Sequence, residues 1–161
     1  MAIMLTKELL SKEPENLARE LCENGNDTST QIRKFYNDFL ILKAKSDITQ
    51  SEDDFRKNVL PLICFSKAKI AYALGRDGVQ ISEKFAEEIN RKVDQIETRS
   101  DFENFLNYYQ ALIGYVTYFT QKKKEERQNN RKNQNYNSSS GQRNFQQGQP
   151  RVFVDRRNGN R

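Results

Sequence analysis

An all-α bundle is the fold class this sequence predicts, on three observations. Apolar residues recur at offsets of three and four nearly throughout, the spacing of a single helix face. No stretch alternates apolar and polar residues as a half-buried strand would. Glycine and proline number only 7 and 3 in 161 residues, and few lie inside the periodic segments. We expect a compact bundle of five or six helices over residues 1–121, enough chain to bury one core. A disordered, basic tail is expected over residues 122–161.

Each element has a local reason. Thr6 can cap a first short helix carrying Leu9 and Leu10, Pro14 interrupts it, and a second piece carries Leu17, Leu21 and Cys22. Asn24–Asp27 reads NGND, a turn cluster. A helix over Thr28–Lys45 opens with Thr28, Ser29 and Thr30, all able to cap exposed N–H groups. Behind them Ile32, Phe35, Tyr36, Phe39 and Leu40 share one face, and Arg33, Lys34 and Asn37 fall off it. The SDITQSEDD stretch is a loop in which Thr49 or Ser51 can cap a helix starting at Glu52, Asp53 and Asp54, acids suited to the positive end of the helix dipole.

Pro61 breaks or kinks that helix. The following LICFSKAKIAYAL is apolar almost all round, which predicts a helix buried mid-bundle, with Lys67 and Lys69 reaching out along their stems. Gly75 can take the left-handed conformation that stops a helix, and GRDG at Gly75–Gly78 is a turn better explained by capping than by phosphate binding. Ser82 opens the next helix: Phe85, Ile89, Val93 and Ile96 form its stripe, and Glu83, Glu87, Glu88, Arg91 and Lys92 its outer face. Ser100 caps a long helix whose Phe102, Phe105, Leu106, Tyr109, Leu112, Ile113, Val116 and Phe119 share a face, an arrangement that belongs to a core. From Gln121 long apolar residues nearly vanish, and residues 122–161 hold 14 Asn and Gln, so burial cannot offset chain entropy there.

Composition narrows the function. The chain has no histidine, which removes the commonest general base and metal ligand and excludes Ser-His or Cys-His catalysis within the chain. Cys22 and Cys64 sit in apolar helical patterns and read as reduced core thiols; a disulfide or metal pair is the alternative. The adjacent carboxylates Asp53–Asp54 and Glu87–Glu88 point to different sides of a helix, and Glu83 with Glu87 is followed by Arg91 and Lys92, as on a solvated face. We expect neither enzymatic activity nor a cofactor. No apolar run reaches about 18 residues, and the N-terminal stretch turns charged too soon for a secretory signal, so no membrane association and a cytoplasmic location are expected.

Charge is unevenly spread. Residues 122–161 hold 11 Lys and Arg against 3 Asp and Glu, whereas residues 1–121 hold 16 against 19. Residues 28–76 are net basic, 9 against 5, and residues 77–103 net acidic, 4 against 8. That separation suits an anionic partner on one side and basic protein neighbours on the other, or else ordinary solvated helix faces. Lys and Arg that neutralise phosphates give affinity without sequence information. The candidate RNA-binding residues are Arg33, Lys34, Lys43, Lys45, Lys67, Lys69 and Arg76. Arg33 and Lys34 lie close behind the expected caps, where helix-start N–H groups also favour a phosphate, although Lys34 could instead pair with Asp38.

Two segments, TSTQIRKFYNDF at Thr28–Phe39 and KAKIAYALGR at Lys67–Arg76, in this order and spacing, resemble the small subunit of the Csm complex, the RNA-guided effector of type III-A CRISPR immunity. The resemblance covers roughly residues 28–119. It implies a noncatalytic helical subunit of a ribonucleoprotein for antiviral defence. Several copies would stack head to tail along the guide-RNA filament, beside backbone and large subunits, and help hold target RNA through its backbone. The charge separation, and not the resemblance, suggests residues 77–103 as an acidic mating surface for such stacking. The polar tail has no counterpart in that family pattern. Its basic residues among Asn, Gln, Tyr136, Phe145 and Phe153 resemble segments that cling to single strands, and Arg151–Arg157 (RVFVDRR) could dock on a partner protein. Two other readings stand beside this one: a helical adaptor that binds only proteins and uses the tail as a tether, and a stand-alone RNA-binding protein acting through the tail.

Overall fold

The computed structural model describes residues 3–24, 29–76, 78 and 81–140, with side chains as far as residue 131. Among these residues the chain is all-α, as expected, with no strand. The helices are α1 (Lys7–Leu10), α2 (Lys12–Asn24), α3 (Ser29–Asp47), α4 (Glu52–Asn58), α5 (Leu60–Leu74), α6 (Glu83–Val93) and α7 (Arg99–Ser140). Met1–Lys123 form one compact unit and Lys124–Arg161 a second.

The caps follow local chemistry. Thr6, Ser51 and Ser82 each accept a hydrogen bond from the backbone N–H three residues on, at 3.1, 3.1 and 3.2 Å. The two prolines among the described residues sit in first turns, where a missing N–H costs nothing: Pro14 in α2, after a break at Ser11, and Pro61 in α5, after a break at Val59. The start of α7 differs from expectation. Thr98, two residues before Ser100, is the cap: its hydroxyl accepts from the Asp101 N–H at 3.1 Å, and the Asp101 carboxylate accepts from the Thr98 N–H at 3.0 Å. The same buried carboxylate also accepts from the N–H groups of Ile3 and Glu97, which ties the N-terminal segment to α7. Gly75 ends α5 with φ −81, not left-handed; the positive φ falls three residues later, at Gly78.

Aromatic packing makes the core. Phe39 meets Phe105 edge-on at 4.9 Å between ring centroids, and Tyr109 lies against Phe39, Phe105, Phe85 and Tyr36. The Tyr109 hydroxyl, fully buried, donates to the Ile32 carbonyl at 2.9 Å, which fixes α3 on α7. The apolar faces read from the sequence are the buried ones for α6 and α7, and for most of α3, where Leu40 is exposed.

Three expectations are corrected. Helix α5 is not buried all round: Ile63, Ser66, Ile70 and Ala73 face inward, while Phe65 and Tyr72 are 59% and 69% exposed. With no polar side to mark the surface, its sequence leaves the buried face undefined, and packing against α3, α4 and α6 chooses it. Cys64 is on the outward side and exposed, so only Cys22 is a partly buried thiol; both are free. Lys92 is buried rather than on an outer face: its ammonium donates to Glu13 at 2.6 Å and lies 4.7 Å from the centre of the Tyr108 ring. Tyr108 in turn donates to Glu88 at 3.2 Å.

Lys123 donates to the last carbonyls of α2, those of Cys22 and Glu23, at 2.7 and 3.4 Å. Within the second unit, α7 stays helical to Ser140, and residues 124–131, rich in Lys, Glu, Arg and Gln that favour helix, have exposed side chains. The remainder of the tail, including Phe145, Phe153 and Arg151–Arg157, lies outside the described residues, as do the side chain of Tyr136 and the expected cap Thr28.

Candidate nucleic-acid interface

Helices α3 and α5 pack side by side and leave a groove of about 610 Å³ along their outer edges. Its α3 wall presents Lys34 and Asp38 over the buried ring of Phe35. Its α5 wall presents Phe65, Lys69 and Tyr72, and Arg76, just past the helix end, closes it. The groove thus gathers three of the seven sequence-derived candidates. Lys69 faces Asp38 at 3.3 Å. That contact engages the carboxylate that was the alternative partner for Lys34. Lys34 and Arg76 are exposed and have no ion-pair partner among the described residues. Among the described residues the groove's lining therefore carries three cations against one carboxylate.

The other candidates are placed differently. Lys45 is exposed and has no ion-pair partner among the described residues; it lies on the face of α3 that also carries Lys34. Eleven residues separate the two, about 16 Å along the helix axis at ~1.5 Å per residue. Arg33 turns toward α7 and donates to the Thr117 hydroxyl at 2.9 Å. Lys67 donates to Asp94 at 2.6 Å. Lys43 is held by Asp47 and by Glu103, the latter at 3.2 Å, and the hydrogen bond it donates to Asp47 is the main cause of an ammonium pKa above the usual lysine value. Lys43 and Lys67 thus link α3 to α7 and α5 to the end of α6. Both pairs join a residue of the basic stretch 28–76 to one of the acidic stretch 77–103, so part of the charge separation seen in sequence is satisfied inside the fold.

Helix α3 begins at Ser29, so Arg33 and Lys34 lie a full turn inside it and past the unpaired N–H groups of its start. Their candidacy rests on side-chain charge alone. Sequence reasoning missed Tyr72 and Phe65, because the spacing of aromatics in α5 looks the same whether they face in or out. Ser66 gave no help, because this polar residue inside an apolar helix faces inward.

Among the described residues no helix is long and apolar enough to cross a membrane, and no three His, Cys, Asp or Glu are grouped as a metal site would need. Residues 5–134 match the family model described as Csm2 Type III-A. No curated protein and no solved structure matches the chain.

Proposed function

The chain belongs to the Csm2 Type III-A family and is a small subunit of the type III-A CRISPR Csm complex, and on that premise we propose that it holds target RNA through its α3–α5 groove. Lys34 and Arg76 are the primary contacts, Lys69 joins them in part because Asp38 shares its charge, and Lys45 extends the track along α3. The primary contacts are to phosphates, because guide–target pairing already reads the sequence and the protein has only to retain the target strand. Copies stack along the guide-RNA filament beside the backbone and large subunits, and the exposed Ile41, on the same side of α3 as Lys45, and Ile48, just past the helix end, favour such protein neighbours. The subunit performs no chemistry itself, uses no cofactor and works in the cytoplasm as part of antiviral defence. Lys43 and Lys67 serve the fold, and Arg33 borders the track.

The observation that carries this reading is the pair of exposed cations, Lys34 and Arg76, that no carboxylate neutralises among the described residues. Bound phosphate would replace condensed counterions on the RNA, so affinity should fall with salt. In the assembled complex, Lys34→Glu with Arg76→Glu should lower target-RNA affinity and flatten the log–log salt dependence by roughly one to two units. Wild-type affinity with an unchanged slope would remove the groove from the RNA path.

A further inference from the structure

The groove holds more than charge. Phe65 and Tyr72 are seven residues apart on α5 and so lie on the same side, two turns from one another. Ala68 sits between them at offsets of three and four, on the same lining, and its methyl leaves a low floor between two exposed rings. An exposed tyrosine at 69% and phenylalanine at 59% on one wall are an unusual use of surface, because each ring forgoes burial that the same helix gives to Ser66. Cations surround these rings: Lys34 across the groove, Lys69 on the same wall, and Arg76 at its end.

An aromatic face with flanking cations is the arrangement that binds unpaired nucleotides: the ring takes the flat base and the cations take its phosphates. We infer that the α3–α5 groove stacks an unpaired base of the target RNA on Tyr72, with Phe65 as a second ring and Lys34 and Arg76 on the adjoining phosphates. The inference rests on the RNA reading given above and adds the recognised group, a base that has left its stack. The excess of positive charge among the described lining residues favours RNA over an apolar peptide, for which Lys34 and Arg76 would have to be desolvated without a partner among those residues. Every base has a π face, so the contact tolerates any sequence, as a guided complex requires.

The test uses assembled complex containing wild-type, Tyr72→Ala, Tyr72→Phe or Lys34→Glu/Arg76→Glu subunit. The probe is target RNA carrying a single 5-iodouridine placed at successive positions. Tyr72 is largely exposed, so the alanine variant should keep its helical circular dichroism. We expect Tyr72→Ala to weaken target RNA about fivefold or more with the salt slope unchanged, because no phosphate contact is lost. Tyr72→Phe should restore affinity, and irradiation should cross-link Tyr72 at one iodouridine position for each stacked copy. If Tyr72→Ala binds as wild type while the double charge variant flattens the slope, base stacking is overturned and the phosphate track stands. If neither variant changes RNA binding, both fall. If Tyr72→Ala is missing from the purified particle, the groove seats a neighbouring protein subunit, which also overturns base stacking.

Discussion

Replacing Asp38 by Asn should tighten RNA binding. Asp38 is the carboxylate on the groove wall, and it faces the Lys69 ammonium at 3.3 Å. Removing its charge releases Lys69 from its pair and adds about one cation to those facing the RNA. One more neutralised phosphate steepens the log–log salt dependence by roughly 0.7–0.9 units. Carried from 1 M to 0.15 M salt, that increment amounts to roughly four- to fivefold higher affinity at the lower concentration. The fold should tolerate the change. The two side chains are 49% and 33% exposed, and an ion pair of that kind contributes at most about 1 kcal/mol. The assay is retention of labelled target RNA by the assembled complex across a salt series, with subunit ratios measured in parallel. A variant that binds RNA no better than wild type at any salt concentration refutes the argument that Lys69 and its groove face the RNA.

Two further predictions concern the fold that holds the groove. Burial pushes the phenol pKa values of Tyr108 and Tyr109 above the ordinary 10.0, with Glu88 adding to the effect at Tyr108. A raised pKa means that the unfolded chain loses these protons first. The contribution is therefore full below about pH 10 and declines as pH rises, at up to about 1.4 kcal/mol per pH unit for each phenol. Thermal melts should show Tm falling above pH 10, and less steeply in a Tyr108→Phe/Tyr109→Phe variant. Asp101→Ala leaves the N–H groups of Ile3, Glu97 and Thr98 without their carboxylate and should cost about 2–4 kcal/mol in denaturant unfolding, more than the ~1 kcal/mol expected of Thr98→Ala.

What could be read from the sequence is what local chemistry decides. Thr6, Ser51 and Ser82 cap helices as their residue types suggest, and α6 buries the stripe Phe85, Ile89 and Val93 that its polar residues leave over. Helix α5 resists this reading because it has no polar side. Which face it buries depends on α3, α4 and α6, and the outcome inverts residue type, with Ser66 in and Phe65 out. Lys92 is the opposite case. Its partner Glu13 lies 79 residues earlier, and only folding shows that a buried ammonium has a carboxylate and an aromatic ring waiting. The seven candidate cations show the same limit. Lys43 and Lys67 look like Lys34 in sequence, yet acids from α7 and the end of α6 hold them, whereas Lys34 has no such partner among the described residues. Residue type marks the basic stretch, and long-range pairing decides which of its members remain for a ligand.

The most direct test of the central claim is a lysine-acetylation footprint of the assembled complex, read by mass spectrometry with and without bound target RNA. A subunit that holds RNA in its α3–α5 groove should show Lys34 and Lys69 protected when target is bound, with Lys43, held by Asp47 and Glu103, reacting equally in both states. Equal reactivity of Lys34 and Lys69 with and without target would contradict it.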